Sequence, residues 1–127
     1  MFSKTILSLI ATAMLFTGSL AAAEPVRIIF ETDMGNDVDD VLALDMLYKY
    51  QDAGKIRLLL ISNNKGNAYS APFIHLMNDF YGWSGIPVAS SPAELLPRQK
   101  EKQPSYVEAV AASGVFPASS AETFDSV

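Results

Sequence analysis

Cysteine is absent from this chain of 127 residues. That excludes disulfides and thiolate metal sites, but it leaves the redox compartment open, because many exported domains carry no bridge. Histidine occurs once, as His75; placed one position after Ile74 on an amphipathic stretch, it reads as an ordinary helix or boundary residue. Basic residues are few and scattered, nine Lys and Arg against fourteen Asp and Glu. Nucleic-acid binders cluster their cations along one face, so a phosphate backbone is an unsuitable partner. No apolar run reaches the about 20 residues a membrane helix needs, and no internal repeat is visible.

The amino terminus carries the marks of an export signal. Lys4 supplies a positive start, Ile6 to Phe16 is a short apolar run, and Ala21-Ala22-Ala23 offers a small-residue cleavage site. Cleavage is expected after Ala23, so residues 1–23 are read as a signal peptide and the remainder as periplasmic or secreted, with no membrane attachment once the leader is gone. Removing 23 of 127 residues leaves 104, and with Lys4 gone the balance is 8 basic to 14 acidic residues, or −6. That is enough chain for one small domain, at the low end of the usual range.

The mature part alternates strand and helix signals. Val26 to Phe30 reads as a strand, and Arg57 to Ile61 as a second whose aliphatic continuity suits a parallel strand covered on both faces. Between them a helix is predicted, with Asp37 or Asp39 as N-cap, Val41, Leu44, Leu47 and Tyr48 on one face and Gly54 after its end. A second helix follows from Ser70 or Ala71, with Pro72 at its first position, Phe73, Leu76, Met77 and Phe80 as its apolar face and Gly82 at the stop. Ile86 to Ala89 is the third expected strand. Residues 91–104, rich in Pro and charge and including Lys100, Glu101 and Lys102, read as a solvated loop. Ser105 and Glu108 then form a capping box over a short helix, Tyr106 to Ala112. Trp83, with Phe80 and Tyr81, is expected to close a helix end against the sheet. The fold class is therefore α/β, with an open, mostly parallel Rossmann-like sheet. In such sheets ligands bind beyond the carboxyl ends of the strands, which puts residues 31–40 and 62–69 on one side.

Six acids, Glu31, Asp33, Asp37, Asp39, Asp40 and Asp45, fall within fifteen positions. Most stand where the first strand gives way to the first helix. Carboxylates crowded in this way repel one another, and a proton or a hard divalent cation relieves them. The plain alternative is a helix start decorated with acids that favour its dipole. An EF-hand is excluded by spacing: with Asp33 as the first ligand, Val38 stands where glycine is required and Leu44 where the bidentate Glu belongs. A haloacid-dehalogenase-like phosphatase also ends its first strand in a nucleophilic Asp, but Glu31 holds that place here, and its longer side chain displaces the attacking oxygen.

The segment IIFETDMGNDVDDVLAL resembles the amino-terminal signature of the inosine-uridine preferring nucleoside hydrolases, a strand followed by DxDxxxDD and an Ala/Leu-rich helix. ISNNKGN, then APFIHLMNDFYG and IPV, is similar to the strand, Gly-Asn loop, helix and short strand that follow in that family. The likeness covers about residues 26 to 90, with Glu31 in place of the first Asp and two extra residues between Gly35 and the Asp39-Asp40 pair. The resemblance implies hydrolysis of the N-glycosidic bond of ribonucleosides with Ca2+ as cofactor. It implies Asp33 as catalytic base and metal ligand, Asp40 as metal ligand, Asp39 and Asn67 as substrate-binding residues, and Asp37 as a substitute ligand opened by the insertion. A dense negative site also suits the ribosyl cation that forms when such a bond breaks.

Family members are much longer and draw further ligands from later strands, so residues 24–127 are expected to be the amino-terminal βαβαβ portion of such a domain, inactive alone. A small-molecule nucleoside is then the expected partner, and a homo-oligomer is compatible with the reading. The competing expectation is a non-catalytic calcium or sugar-binding module.

Overall fold

The computed structural model describes residues 23–90 and 105–115. Residues 1–22 of the expected leader, the loop read over 91–104 and the tail from 116 lie outside them. Three strands, β1 (Val26–Thr32), β2 (Ile56–Asn63) and β3 (Val88–Ser90), form a parallel sheet in the order β1-β2-β3. Three helices, α1 (Asp39–Asp52), α2 (Ser70–Phe80) and α3 (Tyr106–Ala112), follow the strands in turn. The described part is thus an α/β unit with a parallel sheet, compatible with a Rossmann-like fragment. Among the described residues no helix is long and apolar enough to cross a membrane.

Strand β1 has one covered and one open face. Ile28 and Phe30 pack on the core while Ile29 between them is 62% exposed. In β2 the simple alternation slips, because the register shifts opposite Ile28 and Ile29: Leu58 pairs with Ile28, Leu60 with Ile29, and Leu59 is passed over. Leu58 and Ile61, three apart, therefore both join the core, as one extra residue in a strand requires. Leu59 and Leu60 are only half-buried. The aliphatic run of β2 reflects this shift and not the two-sided cover expected from its composition.

Helix α1 buries Leu44 and Tyr48 completely and Val41 and Leu47 in part, the predicted face. Its start differs from the expectation. Val38 is the N-cap, without a side-chain cap, and its carbonyl accepts from Leu42 N at 3.0 Å. Asp39 and Asp40 are therefore inside the first turn, where their charge favours the helix dipole, and neither Asp37 nor Asp39 caps the helix.

Helix α2 begins at Ser70, so Pro72 is its third residue and not its first. Its missing N–H still falls among the first four amides that have no partner within a helix. The buried face is Ser70, Ile74, Met77 and Asn78, rotated from the predicted one, and Phe80 is 82% exposed. The rotation has a polar cause: Asn78 is fully buried because its amide donates to the carbonyl of Ile86 at 3.0 Å and its Oδ1 accepts from Tyr48 at 2.5 Å. A buried side-chain amide with both ends satisfied is tolerated where an unpaired one costs several times more.

Tyr48 also stacks on Tyr81, ring centroids 4.5 Å apart. Tyr81 donates to Asp45, and Lys49 meets the same carboxylate at 2.6 Å. Lys49 first, then Tyr81, holds the Asp45 carboxyl below the usual carboxylate range. The pair is exposed and screened by water, so the aromatic stack and the Tyr48–Asn78 bond carry most of the α1–α2 contact. Trp83 packs against the core as expected, and its Nε1 donates to Asp52 at 2.9 Å.

Both long helices stop on a glycine. After α2, Gly82 N donates to the Asp79 carbonyl and Trp83 N to that of Asn78, the paired bonds of a Schellman end. Gly82 has φ +75° and open space where a Cβ would lie. Gly82→Ala is therefore expected to lower stability by about 1 kcal/mol through the left-handed backbone alone, read as a lower midpoint in urea. Gly85→Ala, where a Cβ also meets nothing within 4 Å, should leave the midpoint unchanged.

Candidate functional site

Because β1 and β2 run parallel, the loops that follow them share one edge of the sheet. They are also tied together: Asn64 N donates to the Thr32 carbonyl at 2.9 Å, and Asn64 Nδ2 to Glu31 Oε1 at 3.0 Å. The acidic turn between β1 and α1 hangs from Met34, which is fully buried. Ser70 Oγ donates to the Met34 carbonyl at 2.5 Å, and Tyr106 N to that of Gly35 at 3.0 Å. The first residues of α2 and α3 thus fasten consecutive carbonyls of the turn. Gly35 is closely surrounded, since a Cβ there would lie 3.5 Å from Ser70 Oγ, 3.6 Å from Lys65 Cε and 3.7 Å from Val107 Cγ2.

With Met34 and Gly35 turned inward, Asp33, Asp37 and Asp39 are exposed and Asp40 is half-buried. Burial raises the pKa of Asp40, the Thr32 hydroxyl opposes the rise, and the charges of Asp33 and Asp39 add to it. The Asp33 and Asp40 carboxyls are close enough for a proton on Asp40 to be shared with Asp33. Asp37 is not among the groups that act on Asp40; it stands out toward solvent. The turn therefore brings together Asp33, Asp40 and, at longer range, Asp39.

Asn67, on the second loop, spends its side chain on the fold. Its Oδ1 accepts from Tyr69 N at 2.8 Å, and its Nδ2 lies 3.3 Å from Ser105 Oγ and 3.1 Å from Glu108 Oε1. Ser105 caps α3 by accepting from Glu108 N at 3.4 Å, one half of the expected capping box. Glu108 reaches toward Asn67, so the amide pins α3 to the loop after β2.

Three residues at this edge carried no signal in the sequence that singled them out. Thr32 is 3% exposed, and its hydroxyl faces the Asp40 carboxyl and holds its pKa down, in a contact outside ideal hydrogen-bond geometry. Tyr106 has its hydroxyl buried, with the Gly35 backbone N–H as its neighbour in a contact likewise outside ideal geometry. Burial first, then the charge of Asp40 and more weakly those of Asp39 and Asp33, raises its pKa. Lys65 is buried with its stem along Gly35. Only the fold brings these side chains to the acidic turn; a Thr in a strand or a Tyr in a helix is otherwise ordinary.

The donor set is all oxygen, which suits a hard cation. Yet among the described residues no three His, Cys, Asp or Glu side chains are grouped so as to hold a metal ion. Asp33 and Asp40 supply at most four of the about six to eight oxygens that calcium takes. A cation would complete its shell with backbone, water or ligand oxygens.

The raised pKa of Asp40 fixes the sign of its effect on ligand-free stability. A carboxyl that holds its proton more tightly when folded opposes folding once ionised; stability rises as pH falls through the folded value and levels off below the unfolded one. Asp40→Asn is accordingly expected to raise the thermal midpoint of the ligand-free chain at pH 7, with the gain shrinking toward pH 4. A midpoint that falls at pH 7 would show that the Asp40 carboxylate is held by favourable partners.

No protein-family model, curated protein or solved structure matches the chain.

Proposed function

We propose that the chain is the amino-terminal part of an exported, calcium-dependent nucleoside N-ribohydrolase, its sheet of the nucleoside hydrolase type, and that the turn after β1 is the first ligand loop. The observation that carries the reading is the approach of Asp33 and Asp40 at the carboxyl edge of a parallel sheet, with Asp39 acting on the same carboxyl. Packing them there raises the Asp40 pKa, a cost that a cation or a hydroxyl-rich ligand would offset.

In this reading Asp33 and Asp40 would hold Ca2+, which fixes a vicinal diol and brings a water close to the sugar. Asp33, the exposed member of the pair, accepts the proton of the attacking water. The water oxygen bonds to the anomeric carbon as the bond to the base nitrogen breaks, and the departing nitrogen takes a proton from the surroundings. Asp39 accepts from a ribose hydroxyl, and the negative edge stabilises the ribosyl cation formed on the way. Asn67 would orient the water or the sugar only by exchanging one of its bonds to Ser105 and Glu108 for the ligand. Asp37, exposed and off the pair, would join as a ligand only if the turn rearranged.

The test is release of ribose from inosine and uridine by the full-length gene product in calcium. Activity that is abolished by a chelator and reduced at least about 100-fold by Asp33→Ala is expected, the size usual for loss of a general base. Inactivity of the wild type toward every riboside in calcium overturns the reading. A second reading, a non-catalytic calcium or sugar-binding module, is favoured by Glu31, whose carboxylate accepts from Asn64 Nδ2 where the family places its first Asp. Ribose-dependent calcium binding by calorimetry without turnover supports that alternative.

A further inference from the structure

The three bonds that hold the Asn67 side chain are not equally open to exchange. Its Oδ1 accepts from the Tyr69 amide at 2.8 Å inside its own loop, and its Nδ2 donates to Ser105 Oγ at 3.3 Å. Ser105 is 1% exposed and caps α3, which leaves an incoming ligand little access to that contact. The third bond, from Nδ2 to Glu108 Oε1 at 3.1 Å, lies at the surface, and Glu108 is itself exposed. It is the bond that a ligand oxygen can replace.

The carboxylate also has another place to go. Glu108 stands three residues after the N-cap residue Ser105, whose Oγ accepts from the Glu108 amide. In a complete capping box, a Glu in that place turns back to the N–H of the cap residue. Here it reaches out instead, across 41 positions of sequence, to the loop after β2. Leaving Asn67 lets Glu108 close the box, which offsets part of the bond given up. The rest of α3 stays fastened, by Tyr106 N on the Gly35 carbonyl at 3.0 Å and by the fully buried Val107.

We propose that Glu108 is an internal competitor for the ligand's place on Asn67: its carboxylate stands in for a sugar oxygen in the ligand-free chain and turns to the α3 cap when the sugar arrives. The inference rests on the proposed function, in which Asn67 meets the sugar, and it names the bond that is exchanged. A carboxylate is a stronger acceptor for an amide N–H than a neutral hydroxyl is. Glu108 therefore holds down the affinity for a neutral sugar and favours the release of ribose. The sign of this effect sets it apart from a brace. A side chain that only pinned α3 to the loop would, on removal, loosen the edge and weaken binding.

The experiment uses the full-length protein with Glu108→Gln, which keeps an acceptor without its charge, and Glu108→Ala, which removes it, each alone and combined with Asn67→Ala. Ribose affinity in saturating calcium is measured by calorimetry, and KM for inosine by ribose release. Expected are a ribose affinity tightened about twofold by Glu108→Gln and about fivefold by Glu108→Ala, with KM falling in the same order. With Asn67→Ala in place, neither substitution should alter either value, because the competition acts through that amide. Ribose affinity that is unchanged or weakened in both single variants overturns this inference and leaves the functional reading standing. So does an equal tightening in the Asn67→Ala background, which would assign the effect to the lost charge alone. A wild type that neither binds ribose nor cleaves inosine removes both. Ribose binding without turnover, tightened by Glu108→Ala through Asn67, supports the inference while it removes the hydrolase.

Discussion

Between the last paired residue of β1 and the first turn of α1 the chain passes from sheet to helix with Asp33, Asp37, Asp39 and Asp40 in eight positions, and the passage is held by the burial of Met34. A fully buried methionine is worth about 1.5–3 kcal/mol of apolar transfer, more than the repulsion of a few hydrated carboxylates costs at high dielectric. Its carbonyl and that of Gly35 are then taken by Ser70 and Tyr106. The acids cannot relax by moving the backbone; they must share the edge.

That fixed backbone explains why polar satisfaction is so uneven nearby. Asn63, Asn67 and Asn78 each use both ends of the side-chain amide, and at least one end of each reaches a segment far off in sequence: Ser90 for Asn63, Ser105 and Glu108 for Asn67, Tyr48 for Asn78. Thr32 and Tyr106, a few residues from these networks, have only the Asp40 carboxyl and the Gly35 amide beside their hydroxyls, in contacts short of ideal geometry. The contrast separates two uses of buried polarity. The asparagines hold loops to the sheet and helix to strand, where a missing bond would loosen the fold. The two hydroxyls sit instead against the acidic turn itself, Thr32 beside Asp40 and Tyr106 beside Gly35.

Much of the architecture could be read from the order of residues. The β-α-β-α-β sequence, the parallel sheet it implies, the buried side of α1, the glycine stops and the Ser105 cap all follow from periods and local chemistry that act over four or five residues. The errors are equally local in origin. The face of α2 was displaced because a polar residue, Asn78, is buried by partners 30 positions before it and 8 after it, and hydropathy gives no credit for that. The aliphatic run of β2 suggested cover on both sides because a shift in register cannot be seen from composition. Val38 takes the cap position because the helix starts where the turn, fastened through Met34 and Gly35, delivers the chain, and cap preference of about 1 kcal/mol does not override it.

By itself the sequence determined that acids would crowd the end of the first strand and that the loops after the first two strands would share an edge, since charge density and strand order are properties of the chain. Only the tertiary structure decided which acids meet, Asp33 with Asp40 while Asp37 stands apart, and that Asn67 spends its amide on α3. It alone brought Thr32 and Tyr106, 74 positions apart in the numbering, to the same acidic turn. The physical reason is that side-chain convergence depends on where packing places the backbone in space, and here that placement is set by a buried methionine and two hydrogen bonds to the turn, none of which has a local signature.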